Sequence, residues 1–241
     1  MIRGLPAGYV RVTADRCWAV ALADHADDAR ALLAEGTLYE AAARDLGARS
    51  MQGRGVAYAI ALPVSGLRVV VRHNRHGGLL APITRDLFFP PTRAPYELEM
   101  ALRLAAVGIR TPPVVMYGVE RRAAVLRRSD VVTREIVDGR DLASYMMPGE
   151  SPAARGAAWT ATRELLRMLA AAGARHHDLN VKNILLSGAG SALDAWVLDV
   201  DRVRLGAAGS PAVERGNRER LLRSARKWRD RWGAEFEGTE V

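Results

Sequence analysis

The run His176-His177-Asp178-Leu179-Asn180-Val181-Lys182-Asn183 places a carboxylate, an amide oxygen and an ammonium in one short polar stretch. Downstream, the apolar segment Trp196-Val197-Leu198 delivers a second carboxylate, Asp199. Those residue types suit phosphoryl transfer from ATP. The reaction needs a carboxylate to orient an attacking hydroxyl and take its proton, and magnesium held by hard oxygens to neutralise phosphate charge. Asp178 is the expected base, and Asn183 and Asp199 are the expected Mg²⁺ ligands. His176 is expected to buttress the loop, and Lys182, with Asn180 beside it, to stabilise the transferring charge. Taken singly, each residue reads as turn chemistry. The whole pattern, with a helix before it and strands around it, reads as a kinase-type site.

A nucleotide clamp should then precede it. Gly53-Arg54-Gly55, ahead of a strand, is expected to turn tightly over the phosphates. The strand Leu67–Arg72 should carry a cation for the α- and β-phosphates, usually lysine. The first lysine in the chain is Lys182, so Arg72 is the candidate. Its planar fork can grip two phosphate oxygens. A glutamate on the following helix should steer it: Glu97, with Glu99 as the alternative. Glu135-Ile136-Val137 falls where a connection between lobes offers backbone groups to adenine, with Asp138-Gly139 as the turn after it.

The elements that must hold these residues follow from periodicity. Residues 9–22 read as strands, Asp24–Leu46 as helix interrupted near Gly36, and Val56–Leu62 with Leu67–Arg72 as a hairpin. Tyr96–Ala106 reads as a helix stopped at Gly108. Strands are expected around Val114–Tyr117, Ala123–Leu126 and Val131–Val137. Beyond Asp141 the pattern becomes helical, over Asp141–Met147 and Pro152–Ala172, the latter opened by Ser151 as N-cap with Pro152 behind it. A polar loop (Arg175–Asn183), strands Ile184–Leu186 and Ala195–Val200, and a helix Pro211–Arg231 complete the chain. The expected class is α+β, a two-lobed protein-kinase-like fold. Its sheet-rich N-terminal lobe spans 1–138 and its helical C-terminal lobe 139–241, with the boundary near Asp138–Arg140.

Composition bounds the rest. The chain has 241 residues, 49% of them hydrophobic, a net charge of +8 and a pI near 10.3. The longest uncharged run, Gly55–Leu67, is broken by Pro63 and too short to span a membrane. The N-terminal residues lack the apolar core of a secretion signal, and a single cysteine, Cys17, fits a reducing compartment, so a cytoplasmic location is expected. The positive charge favours anionic partners. Nucleic acid is not expected, since charge alone points to it and no motif supports it. Pro211–Arg231 is rich in arginine, with Trp228 and Trp232 one turn apart, which suits an anionic membrane surface; packing of Leu221, Leu222 and Trp228 with a solvated basic face is the other reading.

These residues carry a family resemblance. Gly53-Arg54-Gly55, Val71-Arg72-His73-Asn74-Arg75-His76-Gly77-Gly78-Leu79, Glu97 through Leu104, Asp178-Leu179-Asn180 with Asn183, Asp199-x-Asp201-Arg202, and Asn217-x-x-Arg220-Leu221-x-Arg223-Ser224 resemble the lipopolysaccharide core kinase family, the 3-deoxy-D-manno-octulosonic acid (Kdo) kinases among them. The resemblance implies ATP- and Mg²⁺-dependent phosphorylation of a Kdo hydroxyl on a lipid-anchored glycan, at the cytoplasmic face of an inner membrane. Asn74, His76 and Val200 depart from the family pattern, at an aromatic, an arginine and a phenylalanine respectively. Another small-molecule or protein kinase of the same fold, or a membrane-binding pseudokinase, are the alternatives.

Overall fold

The computed structural model describes residues 4–52, 55–74, 87–122, 126–190 and 192–236. The chain divides into two compact units, Met1–Leu102 with Pro113–Glu135, and Arg103–Pro112 with Ile136–Val241. Gly53 and Arg54 lie outside the described residues, as do residues 75–79.

The first unit is built on a seven-stranded antiparallel sheet in the order β1-β2-β6-β7-β5-β4-β3. The strands are β1 (Tyr9–Ala14), β2 (Cys17–Leu22), β3 (Arg49–Gln52), β4 (Val56–Ala61), β5 (Arg68–His73), β6 (Val114–Arg121) and β7 (Arg127–Arg134). Alternation along β5 buries Val69 and Val71 on one face and leaves Arg68, Val70 and Arg72 for the other. Helices α1 (Ala26–Ala34) and α2 (Leu38–Arg44) supply Leu32, Leu33 and Leu38 to the same core as Val69, Val71 and Val132. Thr37 starts α2 through a reciprocal cap, its hydroxyl accepting from the Glu40 N–H (3.1 Å) while the Glu40 carboxylate accepts from the Thr37 N–H (3.2 Å). Removing such a cap costs about 1 kcal/mol. Helix α3 (Arg93–Ala106) begins three residues earlier than its apolar spacing suggests, and buries Ala94, Leu98, Ala101 and Leu104.

Strand β7 is displaced from expectation. The segment β7 occupies Arg127–Arg134 rather than Val131–Val137, and residues 123–125 fall outside the described residues. The chain therefore leaves the sheet at Glu135, turning through Asp138 (φ 54°) with the Gly139 N–H on the Ile136 carbonyl at 3.1 Å.

The second unit contains α4 (Leu142–Tyr145), α5 (Pro152–Ala171) and α6 (Pro211–Trp232), with β8 (Arg140–Asp141), β9 (Ala174–His176), β10 (Ile184–Ala189), β11 (Ala192–Val197) and β12 (Val203–Leu205). Ser151 caps α5, accepting from the Ala154 N–H at 3.1 Å, and Pro152 occupies its first turn. The helix then buries Trp159, Leu165, Leu166 and Leu169. Residues Arg175–Asn183, expected as loop throughout, begin as strand. β9 pairs with β12, His176 opposite Val203. Gly233, at φ 68°, ends α6, its N–H on the Arg229 carbonyl. No helix among the described residues is long and apolar enough to cross a membrane.

Candidate active site

The candidate catalytic loop is fixed first at His176. Helix α5 reaches β9 through Gly173, which has φ 66° and where a Cβ would come within 2.6 Å of the Gly206 and Ala207 carbonyls. Only glycine makes this turn without displacing backbone. Three residues on, His176 is fully buried. Its Nε2 lies 2.9 Å from the Leu198 carbonyl, and its Nδ1 accepts from the Asp178 N–H at 3.1 Å. A donor at one nitrogen and an acceptor at the other require the neutral ring with its proton on Nε2. Burial pushes the His176 pKa below the usual 6.5, which favours the same neutral form. His176 thus ties the backbone of Asp178 to that of Leu198.

The second tie is the β10–β11 hairpin. Its register sets Ile184 opposite Val197, and the Leu198 N–H continues it onto the Asn183 carbonyl at 2.9 Å. Asn183 and Asp199 therefore flank the same end of one hairpin. The Asn183 Nδ2 donates to the Asp178 carbonyl at 2.8 Å, which leaves the amide oxygen as the atom that can bind a metal. Asp199 sits at φ 53°, ψ 46°, a left-handed conformation that costs a non-glycine residue of order 1 kcal/mol. Such strain is retained where a side chain must be aimed. No group of three His, Cys, Asp or Glu residues among the described ones could enclose a metal. One carboxylate with one amide oxygen is a poor cage for zinc or calcium but fits Mg²⁺, which keeps waters and takes phosphate oxygens.

Lys182 lies between these groups in sequence, and its ammonium pairs with the Asp141 carboxylate at 2.5 Å. Asp141 also starts α4, its other oxygen accepting from the Ser144 N–H at 2.9 Å. Asn180 is a turn former within the loop, its amide donating to the Asp178 carbonyl and accepting from the Lys182 N–H.

One face of α6 runs beside this loop. Asn217, Leu221, Ser224 and Trp228 recur at helical spacing along it. Asn217, 1% exposed, accepts from the His176 N–H and donates to the Ala174 carbonyl, both at 2.9 Å, so its amide completes the free edge of β9. The Ser224 hydroxyl accepts from the Val181 N–H at 3.2 Å. Gly216 leaves room for the Arg175 guanidinium, which a Cβ there would meet at 2.6 Å.

In the first unit, Arg72 on β5 forms an ion pair with Glu97 on α3. Glu97, the glutamate that spacing favours, is 2% exposed on α3. The Glu135 N–H bonds the Arg68 carbonyl, and its carboxylate holds Arg49 (2.5 Å) and Arg68 (2.9 Å). Val137 is 68% exposed in the following turn. Gly55 immediately precedes β4.

Comparison with known proteins decides the family. The sequence model of the lipopolysaccharide kinase (Kdo/WaaP) family matches residues 42–237. The chain belongs to that family. It is a phosphotransferase. Among curated relatives, the 3-deoxy-D-manno-octulosonic acid kinase of Vibrio parahaemolyticus is 30% identical, covering 74% of this chain and 72% of its own length. That of Stenotrophomonas maltophilia strain R551-3 is 34% identical, covering 73% and 68%. The fold resembles WaaP solved in complex with acyl carrier protein (TM-score 0.51, 20% identity, covering 78% and 74%). It also resembles Rio2 kinase from Chaetomium thermophilum in an ADP/Mg²⁺-phosphoaspartate complex (TM-score 0.51, 16% identity, covering 95% and 68%). The protein-kinase-like fold expected from the sequence is the one found.

Of the three expected departures from the family pattern, His76 lies outside the described residues. Asn74 is buried, its amide on the Ser129 hydroxyl at 3.3 Å, and Val200 is 2% exposed behind Asp199. Sequence reasoning overlooked Asp141, whose place ahead of Leu142-Ala143-Ser144 is an N-cap signal. It also gave no role to Asn217 and Ser224, polar helix positions that look solvated until the loop is seen against them.

Proposed function

We propose that this family member transfers the γ-phosphate of ATP to a hydroxyl of Kdo in a lipid-anchored glycan. The observation that carries the reading is the junction at Leu198. There His176 and Asn183 both bond the same residue, and Asp178 and Asp199 are thereby set from two directions. In this reading Asp178 orients the acceptor hydroxyl and receives its proton. The acceptor oxygen then bonds the γ-phosphorus as the bond to the bridging oxygen breaks and ADP leaves. Asn183 and Asp199 would hold Mg²⁺, which neutralises charge on the phosphates. Arg72, steered by Glu97, would bind the α- and β-phosphates, and Gly53-Arg54-Gly55 would cover them.

The N–H of Glu135 is already taken by Arg68, so adenine would be met by the Glu135 carbonyl and the backbone of Val137. The exposed Arg223, Arg226 and Arg229 of α6 support peripheral attachment to an anionic membrane, in keeping with a cytoplasmic enzyme whose acceptor is lipid-anchored. Purified protein incubated with γ-labelled ATP, Mg²⁺ and a Kdo-bearing lipid A precursor tests the reading. Label in the glycan supports it, and label released only as inorganic phosphate opposes it.

A further inference from the structure

Next to the catalytic loop, the end of α6 carries a group of side chains that the phosphoryl-transfer chemistry does not use. The Lys182 ammonium, on a side chain 51% exposed, sits 5.6 Å from the centre of the Trp228 ring while bonded to Asp141. Trp228 and Trp232 lie against one another, ring centres 4.2 Å apart and tilted by 39°. The Arg231 guanidinium covers Trp232 at 4.7 Å, and Trp232 is 41% exposed. The result is a pair of packed indoles with a cation over each ring and the Trp232 side chain partly open to solvent. It adjoins the loop that bears Asp178, because Trp228 continues the helix face whose Asn217 and Ser224 hold that loop.

An acidic sugar has matching chemistry. Its apolar C–H groups can pack against the exposed surface of Trp232, 41% open to solvent, and its carboxylate requires a cation. An ammonium has three donors, and Asp141 takes one of Lys182's while fixing its position. The others remain for a carboxylate oxygen. Aromatic faces also hold the neighbouring cations through their quadrupoles, so the charges and the indoles keep one arrangement.

The geometry points to Trp228, Trp232 and Lys182 as the acceptor subsite, with Lys182 reading the carboxylate of an acidic sugar rather than the transferring phosphate. This rests on the kinase reading above. It separates two roles on α6: the exposed arginines meet lipid, and the tryptophan end meets glycan.

The test uses the full-length protein and two soluble acceptors, a Kdo glycoside and its methyl ester, with initial rates at saturating ATP. Wild type should prefer the acid by about tenfold or more in kcat/KM, the worth of one charged hydrogen bond. Lys182→Met should bring that ratio to near unity, and Lys182→Arg should restore part of it. Trp232→Ala should raise KM for acid and ester alike by about fivefold or more, the order of an aromatic contact. A thermal melt of each variant confirms folding. An acid-to-ester ratio unchanged in Lys182→Met, or an unchanged KM in Trp232→Ala, overturns the subsite while leaving the kinase reading intact. A wild type that phosphorylates neither acceptor nor the lipid-anchored glycan overturns both.

Discussion

The backbone N–H of His176 donates to the side-chain oxygen of Asn217 at 2.9 Å, across 41 residues of sequence. A helix amide thereby serves as the outer partner of β9, the strand that leads into the catalytic loop. The loop is consequently held from three sides: by β12, by Leu198 and by α6.

Asn217→Ala should show this. It removes two buried hydrogen bonds and strands their partners, so stability should fall by about 1–3 kcal/mol. If Asn217 also sets the position of Asp178, kcat should fall by about tenfold or more while KM for ATP changes little, because small misplacement of a catalytic group is costly. Denaturant melts and steady-state kinetics on the same preparation separate the two effects. Loss of stability with unchanged kcat would leave Asn217 a packing residue.

His176 gives a pH dependence with a definite sign. Burial lowers its folded pKa below the unfolded 6.5, so the unfolded chain takes up the proton first as pH falls. Stability should be level above about pH 6.5 and decline below it, at up to about 1.4 kcal/mol per pH unit until the folded pKa is passed. Thermal melts from pH 8 to 5 check this. His176→Gln should flatten the His176 contribution to the slope, and an unaltered profile would assign the decline to other groups.

Arg72 and Glu97 separate a structural from a catalytic role. Glu97 is 2% exposed, so Arg72→Ala takes a guanidinium away from a buried carboxylate and should cost about 3 kcal/mol. Adding Glu97→Gln should recover much of the stability but none of the kcat/KM for ATP. Arg72→Lys should recover activity only in part, because the ammonium keeps the charge and loses the fork. Recovery of activity in the double variant would remove Arg72 from phosphate binding.

The grouping of the candidate loop residues was legible because its parts are neighbours in sequence: His176, Asp178 and Asn183 in one run, Asp199 after one hairpin. What was not legible depends on distant contacts. Asp141 and Lys182 are 41 residues apart, and no local pattern links them. β9 and β12 have three residues each, too few for a periodic signal to mark them as strands. Spacing favours Glu97 over Glu99 from the sequence alone, but the depth of its burial, 2% exposed, depends on what α3 packs against.

The outward face of α6 bears on membrane attachment. Replacing Arg223, Arg226 and Arg229 by serine should reduce sedimentation with anionic vesicles. Binding of the wild type should weaken from low to high salt, since exposed charges are screened over about 10 Å at 0.1 M. Salt-independent binding, or none, would leave those arginines a solvated face.

The most direct test of the account compares wild type with Asp178→Asn for transfer of the γ-phosphate of ATP to a Kdo-bearing lipid A precursor. Wild type should place the label in the Kdo residue, and the variant should turn over about a hundredfold or more slowly with ATP affinity and melting temperature nearly unchanged. Near-normal transfer by Asp178→Asn, or no transfer to the glycan by wild type, would contradict it.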